Sequence, residues 1–141
     1  MNTPATAPLT YRVTPSSHAR SSEQREAILA GELGFGKHFT DHMVTIEWDG
    51  VRGWHDAQVH AYGPLALDPA AAVLHYGQEI FEGIKAYRHA DGSVWTFRPE
   101  ANGTRLQRSA TRLALPHLPV PEFIESLRQL VAVDHDWVPS E

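Results

Sequence analysis

Residues 41–62 read DHMVTIEWDGVRGWHDAQVHAY, and this stretch decides the fold class. Val44, Ile46 and Trp48 alternate with Met43, Thr45 and Glu47, the period-two pattern of a strand. Asp49-Gly50 follows at once and suits a two-residue hairpin turn, so a return strand should run antiparallel to the first.

Working outward, the same logic recurs. Downstream, Ile84–Arg88 and "VWTFR" flank Asp91-Gly92 and predict a second hairpin. Between the hairpins, Asp68-Pro69 looks like an N-cap with proline at the first helical position, predicting a helix over about Pro69–Gln78. A further helix should begin near Pro99–Asn102 with Leu106, Ala110 and Leu113 on one face. Pro119 and Pro121 break the chain before a last amphipathic helix whose stripe is Phe123, Leu127, Leu130 and Val131. Upstream, Ser21 and Gln24 have capping-box spacing, and Gly31 is placed to end the short helix they open. Local hairpins beside amphipathic helices predict an α+β fold with a mostly antiparallel sheet. Residues 1–20, rich in Thr, Ser, Pro and Ala, read as a flexible arm, and residues 21–139 as one small domain. The closing Trp137-Val138-Pro139 suits a linker better than the end of a finished protein.

Bulk properties exclude several functions. A chain of 141 residues can bury a single core. A formal charge of −5 offers no general attraction to nucleic acid or anionic membranes, and no segment approaches the ~20 apolar residues of a bilayer span. The absence of cysteine rules out disulfides and thiolate metal sites. With no signal-peptide core visible, a cytoplasmic location is the expectation.

Three motifs invite chemical readings. "GELGFGKH" (31–38) nearly spells a phosphate-binding loop, but His38 stands where Ser or Thr should ligate magnesium and a helix precedes it. His38, Asp41 and His42, and likewise His55, Asp56 and His60, cluster in sequence. In a strand, however, His38 and His42 would lie ~13 Å apart, and no third and fourth ligands are evident, so no metal site is expected. Arg105, Arg108 and Arg112 form a basic stripe on the third helix, either a solvated face or an anion site in which Arg105, nearest the helix start, binds a phosphate. "HYGQEIFEGIKAYR" (75–88) crowds Tyr76, Phe81, Glu82, Gly83, Lys85 and Tyr87 together. Residue chemistry alone leaves it as either a core crossing with a turn or the wall of a binding site.

"LHYGQEIFEGIKAYR", "FRPEANGTRLQRSATRLALP", "FIESLRQLVAVDHDWVP" and the earlier "FGKHFTDHMVTIEW" occur in one order over roughly residues 30–139. Together they resemble the N-terminal small domain of branched-chain amino acid aminotransferases, fold-type IV enzymes that use pyridoxal 5'-phosphate (PLP). The resemblance implies that Arg105 grips the PLP phosphate and that Tyr76 and Phe81 line the substrate side-chain pocket. Gly83 would make the turn that brings this wall to the ligand. It implies transfer of an amino group from leucine, isoleucine or valine to 2-oxoglutarate, giving a branched 2-oxo acid and glutamate, in a homodimer. The Schiff-base lysine of such enzymes belongs to a large C-terminal domain absent from this chain, and Lys37 and Lys85 match no such motif. The chain alone is therefore expected to be inactive and to hold no catalytic residue of its own. The alternatives are the small domain of a D-amino acid aminotransferase or aminodeoxychorismate lyase, and a non-catalytic interaction module.

Overall fold

In the computed structural model, which describes residues 8–140, the elements follow one another in a simple order. They are β1 (Arg12–Val13), α1 (Ser22–Leu29), β2 (His42–Asp49), β3 (Gly53–Ala61), α2 (Ala72–Tyr76), β4 (Ala86–Arg88), β5 (Val94–Thr96), α3 (Pro99–Arg112) and α4 (Val120–Val133). A 3-10 turn (His135–Trp137) follows α4. β2 and β3 form the expected antiparallel hairpin, and β4 and β5 form the second. The class is α+β, with mostly antiparallel pairing; β1 runs parallel to β3, and an isolated parallel bridge joins Arg88 to Ser140.

The first turn is longer than Asp49-Gly50 suggested. Asp49 pairs with Gly53, so Gly50, Val51 and Arg52 make the bend. The Asp49 carboxylate accepts from the Val51 and Arg52 amides at 2.8 and 2.7 Å, and the left-handed position falls on Gly53 at φ +72°. Aspartate here caps the turn instead of standing inside it. A bulge between the Thr45–Gln58 and Glu47–His55 pairs puts Asp56 at φ +47°.

Two other expectations need correction. The helix predicted over 69–78 shrinks to Ala72–Tyr76, because Asp68 is taken up by a turn: its side chain accepts from the Ala70 amide at 2.7 Å and its carbonyl from the Ala71 amide at 2.9 Å. Gly77, left-handed at φ +58°, ends the helix. Pro121 does not break the chain but sits in the first turn of α4, where its missing N–H is no loss. The Ser21 capping box forms as read.

Residues 1–7 of the expected arm lie outside the described residues, and the rest of it is not loose. β1 pairs with β3, the Leu9 amide donates to Glu122 Oε1 at 3.3 Å, and the Tyr11 hydroxyl donates to the Glu122 carbonyl at 3.2 Å. Farther along, the Ser16 amide donates to His42 Nε2 at 2.8 Å.

The buried apolar set is small: Ala57, Val59, Ala110, Trp137 and Val138. The Trp-Val pair that resembled a linker is thus core. Trp137 Nε1 donates to Asp41 Oδ2 at 2.8 Å, Arg20 pairs with the other oxygen of Asp41 at 2.9 Å, and the Arg20 guanidinium lies 5.2 Å from the Trp137 ring centroid. Beside it, buried His42 donates from Nδ1 to Asp134 at 2.7 Å. α3 and α4 meet at Gly103, where an added Cβ would lie 3.0 Å from Val120 and 3.1 Å from Phe123.

Candidate cofactor and substrate site

Residues 77–85 run without regular structure beside α3, held at both ends. Gln78 Nε2 donates to the Leu113 carbonyl at the C-terminus of α3, at 2.8 Å. At the other end Glu82 receives a two-pronged bond from Arg105, Nε to Oε1 and Nη2 to Oε2, both 2.7 Å. Asn102, three residues before Arg105 and on the same helix face, donates to Glu82 Oε2 at 2.9 Å and to the Gly83 carbonyl at 3.1 Å. The Glu82 side chain is 7 % exposed and that of Arg105 is 55 % exposed. Arg105 holds the Glu82 carboxyl below the usual glutamate range, against the opposing effect of burial and with help from Asn102. The same bond raises the guanidinium still further.

This geometry divides the arginine stripe. Arg108 and Arg112 are exposed and make no side-chain hydrogen bond or ion pair among the described residues, whereas Arg105 is fixed. Among the described residues only its Nε–Nη2 edge is engaged, which leaves the remaining N–H donors of the fork open to an anion. Of the expected pocket residues, Phe81 adjoins Glu82 in the chain, and its ring is 79 % exposed. Tyr76 is 87 % exposed and makes no hydrogen bond to the Glu82–Asn102–Arg105 group among the described residues. Gly83 is not the turn residue it was expected to be. Its φ lies outside the left-handed region, and an added Cβ would meet only Phe81, at 3.7 Å.

Tyr87 and Trp95 face each other across the second hairpin with their side chains toward solvent, and Phe97 and Phe35 are also bare. Between β4 and α4 lies a cavity of about 460 Å³ walled by Glu82, Ile84, Ala86, Phe123, Leu127 and Trp137; Tyr76, Phe81 and Arg105 do not line it. Both lysines, Lys37 and Lys85, are exposed.

The histidine clusters behave differently from one another. Asp41 and His42 are committed to the core contacts above. Glu47, His55 and Asp56 can bring ligand atoms within 4.8 Å of one another. There, however, His55 Nε2 lies 2.8 Å from Asp49, and the Arg52 guanidinium already stands 3.4 Å from Asp56.

Sequence reasoning missed Glu82 and Asn102. Asn102 is legible as the i, i+3 neighbour of Arg105, but nothing in local spacing joins Glu82 to a residue 23 positions away.

Fold and site together define a small α+β domain that offers a pre-set arginine fork beside exposed aromatic residues. Comparison with known proteins sharpens this. No family model matches the chain. A branched-chain-amino-acid aminotransferase of Mycolicibacterium smegmatis is 61 % identical over 132 residues, covering 94 % of this chain and 36 % of the relative. One of Mycobacterium tuberculosis is 57 % identical over 131 residues, covering 93 % and 35 %. Branched-chain-amino-acid transaminase 1 of Bacillus subtilis is 49 % identical over 109 residues, covering 77 % and 31 %. The chain belongs to the branched-chain-amino-acid aminotransferase family, corresponds to its N-terminal portion and spans about a third of the length of these curated relatives. Among the described residues no helix is long and apolar enough to cross a membrane.

Proposed function

We propose that this chain is the phosphate-clamp and side-chain-pocket portion of a PLP-dependent branched-chain aminotransferase. The enzyme moves the amino group of leucine, isoleucine or valine to 2-oxoglutarate. The observation that carries the reading is the half-exposed Arg105, fixed on one edge by Glu82 and open on the other, in a chain this similar to named branched-chain aminotransferases.

The residues present fit one end of the cofactor. Arg105 presents unpaired N–H donors suited to a phosphate dianion. PLP, when bound, supplies the electron sink that labilises the bonds at the amino-acid α-carbon. This chain's part is to bind and orient. Arg105 anchors the phosphate, and Tyr76 and Phe81 provide apolar surface for a branched side chain and exclude water from it. Gly83 leaves the approach beside Phe81 unobstructed. The lysine that attaches the cofactor and moves the proton comes from sequence outside these residues, as does the larger domain; that domain and a second copy of the protein in a homodimer cover the exposed aromatic face. The working location is the cytoplasm.

The test is an equilibrium PLP titration of the full-length protein its gene encodes. A charge-assisted hydrogen bond contributes roughly 1.5–3 kcal/mol net, so Arg105→Ala weakens PLP by about 10- to 150-fold. Arg105→Lys recovers part of this, keeping the charge without the fork. Arg108→Ala and Arg112→Ala leave the affinity unchanged. Equal affinities for wild type and Arg105→Ala would refute the clamp.

A further inference from the structure

Arg105 does not stand alone, and its partner has a role of its own. We infer that Glu82 is a positioning residue for the anion clamp: it holds one edge of the Arg105 guanidinium so that the other edge is presented, already oriented, to a phosphate group. The inference rests on the functional reading above and adds to it a residue and a division of labour within the fork.

Four observations carry it. The bond is two-pronged, with both contacts at 2.7 Å, so the guanidinium plane as well as its position is set. The Glu82 side chain is 7 % exposed, which keeps water from competing for its oxygens, while Arg105 remains 55 % exposed and reachable. Asn102 donates to Glu82 and to the next carbonyl, so the carboxylate is itself held before it holds anything. Finally, Arg108 and Arg112, on the same stripe but without a carboxylate, make no side-chain hydrogen bond or ion pair among the described residues.

A long arginine side chain loses rotamer freedom when it grips a ligand. At Arg105 that loss is taken on folding, so binding gains from preorganisation. Glu82 also places negative charge one guanidinium away from the phosphate, which works against binding. The two effects oppose each other, and orientation outweighs repulsion because the intervening guanidinium neutralises the carboxylate.

The experiment titrates PLP and pyridoxal, which lacks the phosphate, into the full-length protein, following cofactor absorbance at equilibrium. Glu82→Gln keeps the shape but replaces one acceptor oxygen by an NH₂ group facing the fork. It weakens PLP about tenfold and leaves pyridoxal unchanged. Glu82→Asp keeps the charge but is too short to span both nitrogens, and shows a similar selective loss; it carries the same comparison if Glu82→Gln does not fold. In an Arg105→Ala background, Glu82→Gln adds nothing, since it acts through the arginine. An unchanged or tighter PLP affinity in Glu82→Gln overturns the inference, as does an equal loss for PLP and pyridoxal, which would mark a merely structural residue. Loss in Arg105→Ala with none in Glu82→Gln removes this inference alone, whereas no loss in Arg105→Ala removes the clamp and the inference together.

Discussion

Asp134→Ala is the substitution by which the architecture can be tested most sharply. Asp134 caps the end of α4, and its carboxylate reaches across to the start of β2. It accepts the His42 backbone amide at 3.1 Å and His42 Nδ1 at 2.7 Å, with the two side chains only 5 % and 7 % exposed. The direction of the ring bond follows from the far side of the imidazole. Because the Ser16 amide donates to Nε2, that nitrogen carries the lone pair, and the proton is on Nδ1. Removing the carboxylate therefore orphans two buried donors at about 1–3 kcal/mol each, a total of roughly 2–6 kcal/mol. Against a whole-domain stability of ~5–15 kcal/mol, this is a severe loss. Asp134→Asn keeps one acceptor oxygen and should lose about half as much. Asp136→Ala, two residues on, removes an exposed carboxylate that meets Arg25 at 3.1 Å and His135 at 3.5 Å, and should cost no more than ~1 kcal/mol. Urea denaturation of the 141-residue chain, followed by the fluorescence of nearby Trp137, gives all three values. Asp134→Ala within about 0.5 kcal/mol of wild type would refute the buried-pair reasoning.

Two further outcomes follow from particular residues. The Tyr11 hydroxyl is pushed up to about 12, chiefly by burial and then by Glu122 and Glu125. Since the unfolded tyrosine ionises near 10, the docking of residues 9–13 is fully favoured below pH 10 and is lost as pH rises toward 12. One tyrosine should titrate late in the ultraviolet and disappear in Tyr11→Phe, and four tyrosines titrating together near pH 10 would contradict this. Separately, PLP mixed with the 141-residue chain and reduced with borohydride should give only scattered trace labelling by intact mass, because Lys37 and Lys85 are both exposed to solvent. A single stoichiometric pyridoxyl adduct at either lysine would show that the chain carries its own attachment site.

What was legible in the sequence was whatever local chemistry controls. The alternation at 43–48, the Ser21 capping box and the amphipathic stripes each specify an element through contacts a few residues apart, and those elements formed. Asp68-Pro69 failed for the same reason that made it attractive: aspartate before proline serves a turn as readily as a cap. The larger misses depend on distance. Trp137 is core because Asp41, 96 residues earlier, accepts its indole N–H, and Tyr11 is docked by a carbonyl 111 residues away. No window of periodicity contains such pairs. At the candidate site, helical spacing places Asn102 and Arg105 on one face, but only the fold brings Glu82 to them and leaves Arg108 and Arg112 in solvent. Gly83 was misread because glycine suggests a turn, whereas here its carbonyl, not its φ, makes the contact.

The central claim is the reaction itself. The direct measurement is glutamate formation from 2-oxoglutarate by the purified full-length protein, with added PLP and with each of L-leucine, L-isoleucine, L-valine, D-alanine and D-leucine as donor. PLP-dependent glutamate is expected from the three branched L-amino acids, and none from the D-amino acids. Turnover of the D-amino acids in preference, or no transfer from any branched donor with PLP bound, would contradict it.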